Sequence, residues 1–197
     1  MPLAKPPSAY YERHLPHWQP ERRALFVTWR LYGSLPGGWT GSHSASDRHA
    51  DMTEAKLTAG EQFRAADSRL DSATSGPMWL RDARVADCIE KSFLFAESNL
   101  QLYRLAAWVI MANHVHILIQ PLVALARITK SLKGFTARKA NAILGRTGQP
   151  FWQEESFDHW VRNEAEFARI ASYIERNPVT ARMVAKPEGW PWSSASR

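Results

Sequence analysis

Cysteine is nearly absent from this chain, since Cys88 is the only one among 197 residues. A single cysteine excludes an internal disulfide, and it excludes any zinc or iron–sulfur site that is built from several thiolates. Any metal that the protein binds must therefore be held by histidine, amide or carboxylate side chains.

Long apolar runs are also missing. The longest one, Leu105 to Leu118, is interrupted by Asn113, His114 and His116, and it is shorter than the ~20 residues that a membrane helix needs. The first residues contain prolines and charges in place of the apolar segment of a secretory leader. We therefore expect a cytoplasmic protein with no membrane contact.

Acidic residues are unevenly distributed, and one long stretch has none. The chain carries a formal net charge of +6, and no Asp or Glu occurs between residues 122 and 153. A solvated helix face usually mixes the two signs of charge, whereas binding to a phosphate backbone requires a run of one sign. The stretch therefore predicts nucleic-acid binding by its basic residues, Arg127, Lys130, Lys133, Arg138, Lys139 and Arg146.

The order of the predicted elements indicates an α+β fold. Apolar and turn patterns predict strands at 24–35, 102–110, 114–120 and 157–161, and helices at about 80–96, 122–144 and 164–177. This βαββαβ order is typical of a ferredoxin-like or RRM-like antiparallel sheet with helices on one face, here with an additional C-terminal helix. We expect an extended arm at 1–23, a main domain at 24–186 with an inserted connection at 39–76, and a tail at 187–197.

The pair His114 and His116 is the first candidate for chemistry. The period of two along a strand places both imidazoles on one face, while Val115 points to the other. Two adjacent imidazoles without partners would be costly in a buried strand, which favours a shared metal ion. The alternative is that each histidine only lines a polar edge.

Tyr173 and Asn177 form a second candidate pair. They lie four residues apart on the last predicted helix and therefore share one face of it. A helix packed over the sheet would bring a phenol and an amide oxygen next to the histidines. Core packing of Tyr173 and a helix-ending role of Asn177 are the alternatives.

Taken together, these motifs resemble a known family. The segments Asn113-His-Val-His116, Gly148-Gln-Pro-Phe-Trp152 and Tyr173-Ile-Glu-Arg-Asn-Pro-Val179 resemble the IS200-like single-tyrosine HUH transposases, and more closely the REP-associated tyrosine transposases. The resemblance covers about residues 24–195. The connection at 39–76 is longer than in compact IS200-type enzymes.

The resemblance implies a specific activity and site. His114, His116 and Asn177 would be the metal ligands, and Tyr173 the nucleophile that cleaves single-stranded DNA at REP-like or element-end hairpins through a 5′-phosphotyrosine intermediate. Mg²⁺ or Mn²⁺ suits this ligand set, with Mn²⁺ the better match to imidazole. Zn²⁺ would accept the same ligands, so its exclusion rests on the resemblance. We expect a monomer, with a dimer as the alternative.

Two other functions fit parts of the sequence. A non-catalytic RRM-like module would bind single-stranded nucleic acid by stacking, and nine tryptophans could serve it. A metal-dependent hydrolase would use water instead of tyrosine. For the hairpin-cutting enzyme, we expect the tryptophans on the arm and tail, which have the least core to join, to stack on unpaired bases at the foot of the hairpin: Trp18, Trp190 and Trp192.

Overall fold

The protein is described by a computed structural model that covers residues 10–12, 16–18, 23–35, 59–72 and 76–197, with side chains from residue 23 onward except at 59–64. Within the predicted arm, strands β1 (Tyr10–Glu12) and β2 (Pro16–Trp18) pair antiparallel as a small two-stranded sheet. In the part of the chain that the structure describes, no helix is both long and apolar enough to cross a membrane.

The main sheet has four strands, and neighbouring strands are antiparallel. They are β3 (Leu25–Arg30), β4 (Tyr103–Ile110), β5 (His114–Pro121) and β6 (Phe157–Trp160), in the spatial order β4-β5-β3-β6. This order places β5 and β3 in the centre. The α+β, ferredoxin-like architecture predicted from the element order is confirmed.

The two faces of the sheet carry different helices because the strand residues alternate. Val27 and Trp29 of β3 point into the larger core, on which α2 (Ala83–Ser98) and α3 (Leu125–Ile143) pack. Phe26 points into a smaller core on the opposite face, which α4 (Glu164–Thr180) covers. The prediction that a C-terminal helix carrying the tyrosine adds to the basic fold is therefore confirmed.

The inserted connection contributes one further helix, α1 (Ala59–Asp71). Its last turn reaches the turn between β4 and β5, where Nδ2 of Asn113 donates a hydrogen bond to the backbone carbonyl of Leu70 (3.0 Å). Leu70 is buried and Asn113 is 2% exposed. The end of the connection is therefore fixed to the centre of the domain.

Helix α4 differs from its prediction at one end. Asn163 caps its N-terminus as expected, since its side chain accepts from the backbone N–H of Glu166. The predicted end at about Asn177 is wrong, because the helix continues to Thr180 and includes Pro178. A proline in the last turn removes one backbone hydrogen bond, and the burial of both Asn177 and Pro178 in the domain offsets that loss.

The tail at 187–197 lies against the outer strand β4. The backbone N–H of Ile110 donates to the carbonyl of Trp192 (2.9 Å), and Ser193 forms a β-bridge with Val109. Trp190 joins the smaller core and Trp192 joins the larger one. The tail therefore supplies packing to both cores.

The centre of β5 generates the first prediction. Ile117 is fully buried between β3 and β4, on the face covered by α2 and α3. We expect Ile117→Ala to lower the free energy of unfolding by about 2–5 kcal/mol, because it removes buried methyl groups and leaves a cavity. Urea unfolding measures the change. The control is Gln120→Ala on the exposed end of the same strand, and equal losses in both variants would contradict the packing described.

Candidate active site

The two histidines meet on the α4 face of the sheet. His114 and His116 are both fully buried, and their Nε2 atoms lie 3.0 Å apart. Their ring centroids are 4.7 Å apart. The prediction from strand period that the two imidazoles share one face thus agrees with the structure, which brings both Nε2 atoms to one point.

Neighbouring side chains fix how each ring presents its nitrogen atoms. Nδ1 of His114 lies 2.7 Å from Oδ1 of Asn113, and Nδ1 of His116 lies 2.7 Å from Oγ1 of Thr28. An amide oxygen can only accept, so the proton of neutral His114 is on Nδ1 and its Nε2 carries a lone pair. Thr28 can accept from His116 in the same way. Such partners are typical of metal-ligating histidines.

Helix α1 brings two carboxylates to the same point. Oδ1 of Asp67 lies 3.3 Å from Nε2 of His116 and 3.6 Å from Nε2 of His114. Oδ1 of Asp71, one helical turn later, lies 3.7 Å from Nε2 of His114. Asp67 is 2% exposed. Asp67, His114 and His116 therefore form a buried group of three side chains that could hold a metal ion.

The electrostatics of the group follow from burial and proximity. Burial, with the positive charge that His116 would carry, lowers the pKa of His114 to about 3, so His114 is neutral at pH 7. Burial would raise the pKa of Asp67, but the two imidazoles lower it below its usual value. Burial and the charge of Asp67 raise the pKa of Asp71 to about 7. The site thus offers the Nε2 atoms of two imidazoles and one carboxylate.

Helix α4 supplies the phenol and the amide. The ring of Tyr173 lies 5.9 Å from that of His116 and 6.1 Å from that of Phe26, measured between centroids. Nδ2 of Asn177 lies 3.3 Å from Nε2 of His116, and its side chain is buried. Tyr173 is 37% exposed and can be reached from solvent. The expected approach of this helix face to the histidines is therefore present.

The donor set suits a hard or borderline divalent cation. Both oxygens of Asp67 and Oδ1 of Asn177 are buried without a hydrogen-bond partner in the part of the chain that the structure describes. Buried polar atoms are ordinarily paired. Rotating the amide of Asn177 by 180° exchanges its oxygen and nitrogen and turns Oδ1 toward the histidines. Carboxylate, imidazole and amide ligands match Mn²⁺ and Mg²⁺.

Sequence reasoning missed Asp67. It lies in the inserted connection, and the sequence analysis assigned no function to that segment. A signal was present, because Asp67 and Asp71 are spaced four apart and share one face of a helix with the apolar Leu70 close by. Nothing in the sequence, however, tells which face of that helix approaches the sheet.

The basic side chains of α3, and Arg146 just after this helix, belong to the opposite face of the sheet from the histidines. Among these basic residues, Lys133 is held by a hydrogen bond in which its Nζ donates to the carbonyl of Glu154 (2.6 Å). The guanidinium of Arg146 lies 3.9 Å above the ring of Trp79. The four others are exposed: Arg127, Lys130, Arg138 and Lys139. Phe135 of α3 is 44% exposed beside Lys139, although its spacing of three from the buried Leu132 is typical of a residue on the inner face.

The structure describes the side chains of two of the three tryptophans predicted to stack on bases, and both pack against the domain. The side chain of Trp18 lies outside the described residues. Trp190 and Trp192 are both partly buried, and their indole N–H groups donate to the carbonyl of Ile110 (2.9 Å) and to Asp87 (2.8 Å). Their rings also contact each other. Packing against the domain already buries most of the surface of both rings. Base stacking by the tail stays a prediction.

The sequence of the central segment matches a known family. Residues 82–177, just under half of the chain, match the family described as "Transposase IS200 like". This segment contains His114, His116, Tyr173 and Asn177. The resemblance to IS200-like transposases is therefore confirmed, whereas Asp67 lies outside the matched segment. A search of the curated proteins finds no match.

One of two similar solved structures supports the fold. The structure of a REP-associated tyrosine transposase bound to a REP hairpin aligns over 96% of this chain and 84% of its own, with a TM-score of 0.52 and 16% identity. A candidate transposase from Deinococcus radiodurans aligns over 78% and 89% of the two chains, with 18% identity and a TM-score of 0.34. The first alignment shows that the two chains share a fold.

The metal site generates the second prediction. We expect Mn²⁺ to raise the melting temperature of the protein, because an ion that binds the folded state stabilises it by mass action. Asp67→Asn should weaken Mn²⁺ binding at least about tenfold in calorimetry, since it removes the negative ligand. Glu188→Gln, which removes an exposed carboxylate far along the chain, is the control. Unchanged Mn²⁺ affinity in Asp67→Asn would exclude Asp67 as a ligand.

Proposed function

We propose that this protein is a metal-dependent, single-stranded DNA endonuclease and strand transferase that cuts at DNA hairpins through a 5′-phosphotyrosine on Tyr173. The observation that carries the proposal is the convergence of α4 on the histidines: an accessible phenol, 5.9 Å between ring centroids from His116, on the same helix face as Asn177. The match of this segment to IS200-like transposases supports it.

The chemistry needs more than the phenol. A tyrosine with a pKa near ~10 is a poor nucleophile at neutral pH, so a phosphodiester must be activated before it is attacked. A divalent cation held by His114, His116 and Asp67, with Asn177, would polarise a phosphoryl oxygen and stabilise the leaving oxygen. Thr28 and Asn113 keep the two imidazoles oriented for this task.

The proposed reaction conserves the number of phosphodiester bonds. Oη of Tyr173 forms a bond to phosphorus while the bond from phosphorus to the 3′ oxygen breaks. The phenolic proton leaves to water, and the 3′ oxygen takes up a proton to become a free 3′-OH. Attack of a 3′-OH on the phosphotyrosine reverses these steps, so the same site can join strands as well as cut them.

Single-stranded hairpin DNA is the substrate that the surface favours. The described elements include no helix-turn-helix, and the one cysteine excludes a Cys₂His₂ finger, so neither of these duplex readers is available for a major groove. The similar transposase structure is bound to a REP hairpin. The exposed basic residues of α3 would contact the phosphates of such a hairpin, with Mg²⁺ or Mn²⁺ at the histidines.

The third prediction tests the nucleophile. Incubation of the protein with Mn²⁺ and single-stranded hairpins from the DNA flanking its own gene should give a covalent protein–DNA adduct, visible by denaturing electrophoresis. Tyr173→Phe should abolish the adduct and the cleavage but keep hairpin binding, because only the nucleophilic oxygen is removed. Tyr32→Phe, which alters an exposed tyrosine without a ring contact to the histidines, should keep the adduct.

The outcomes separate the three functions. Cleavage by Tyr173→Phe at a comparable rate, without an adduct, would identify a hydrolase that uses water. Binding without cleavage by the unmodified protein would identify an RRM-like binding module. Comparable cutting of fully duplexed DNA would contradict the single-stranded substrate.

The fourth prediction concerns the basic face of α3. We expect replacement of Lys130, Lys133, Arg138 and Lys139 by Gln to weaken binding to every hairpin, and to flatten the dependence of log K on log salt by about one unit per lost phosphate contact. Fluorescence anisotropy at several salt concentrations measures the slope. An unchanged slope would mean that this helix does not contact DNA.

A further inference from the structure

Arg30 is the last residue of β3 and lies on the same face of the sheet as the candidate site. In the antiparallel pairing of β3 with β5, Thr28 is opposite His116 and Arg30 is opposite His114. The contact between Thr28 and Nδ1 of His116 confirms that these positions share one face. Directly opposed residues have Cβ atoms about 5 Å apart, so Arg30 is an immediate neighbour of His114.

The face has a linear order along β3. Phe26 contacts the ring of Tyr173, Thr28 contacts His116, and Arg30 follows beside His114. A strand rises about 3.3 Å per residue, which places Arg30 roughly 13 Å from Phe26. Tyr173 and Arg30 therefore lie toward opposite ends of this row, and the histidines lie between them.

The guanidinium of Arg30 has few partners in the part of the chain that the structure describes. The side chain is half-buried, and it donates one long hydrogen bond, 3.3 Å, to Oγ of Ser34. Among the described residues, no carboxylate forms an ion pair with it. A planar fork of N–H donors with a permanent charge is the side chain best suited to bind a phosphate through two oxygens.

The direction of the proposed reaction assigns a strand to each end of the row. In phosphoryl transfer the attacking and leaving oxygens lie roughly in line on opposite sides of phosphorus. With Tyr173 at one end, the leaving 3′ oxygen and its strand extend toward the other end. We infer that Arg30 binds a backbone phosphate on the 5′ side of the cut, an inference that rests on the proposed function. This contact would retain the strand that ends in the 3′-OH for rejoining.

The fifth prediction tests this contact through binding. Hairpins that carry one neutral methylphosphonate, scanned over every linkage, are bound to Tyr173→Phe protein with Mn²⁺, so that none is cut. At one linkage the methylphosphonate should weaken binding about tenfold, and adding Arg30→Gln should erase this sensitivity, because charge and phosphate act as a pair. Arg30→Lys should restore it in part. Ser34→Ala, which leaves the guanidinium in place, should preserve it.

The position of that linkage decides the inference. Adduct mapping with unmodified protein locates the cut, and the coupled linkage should lie on its 5′ side. Additive effects of Arg30→Gln at every linkage, or coupling only on the 3′ side, would overturn the inference while leaving Tyr173 chemistry intact. If no adduct forms but Arg30 and one linkage remain coupled in binding, the proposed chemistry is overturned and the phosphate contact of Arg30 is not. Each comparison is made within one variant, so a change in its stability does not imitate coupling.

Discussion

Two buried imidazole nitrogens 3.0 Å apart are the constraint around which the centre of this molecule is organised. Nε2 of His114 and Nε2 of His116 are removed from water and face each other. Burial opposes protonation of His114, whose pKa falls to about 3, so its Nε2 faces His116 as a hydrogen-bond acceptor. A cation bound by both nitrogens would bring them together as ligands. The oxygens of Asp67 and Oδ1 of Asn177, which have no hydrogen-bond partner among the described residues, would gain one from the same ion.

Helix α1, from the inserted connection, contacts the histidine pair through a chain of hydrogen bonds as well as through Asp67. The carbonyl of Leu70 fixes the amide of Asn113, and the amide oxygen of Asn113 fixes the proton of His114 on Nδ1. Asp71 adds a pH-dependent charge, because its pKa is raised to about 7. In metal-free protein this carboxyl group favours folding below its unfolded pKa, near 3.8, and loses that contribution as the pH rises through about 7.

The sequence predicted the parts of the site that follow from local periods. The strand period of two places His114 beside His116, and the helix spacing of four places Tyr173 above Asn177. It could not predict Asp67 or the position of Arg30, because these depend on which helix face meets the sheet and on the register between β3 and β5. Phe135 shows the same limit: its spacing fits an inward residue, yet the position of α3 on the sheet leaves it exposed.

The tail also determines what the edge of the sheet can do. Along β4, the backbone N–H of Leu105 is bound by Glu97, that of Trp108 by Ser194 and that of Ile110 by Trp192. An unprotected edge strand is a template for pairing with another chain. A second copy that paired with β4 would first have to displace the tail. This would break the bridge between Ser193 and Val109 and expose Ser193, which is fully buried. Assembly of this protein by sheet extension at this edge is therefore coupled to release of Trp192, Ser193 and Ser194 from β4.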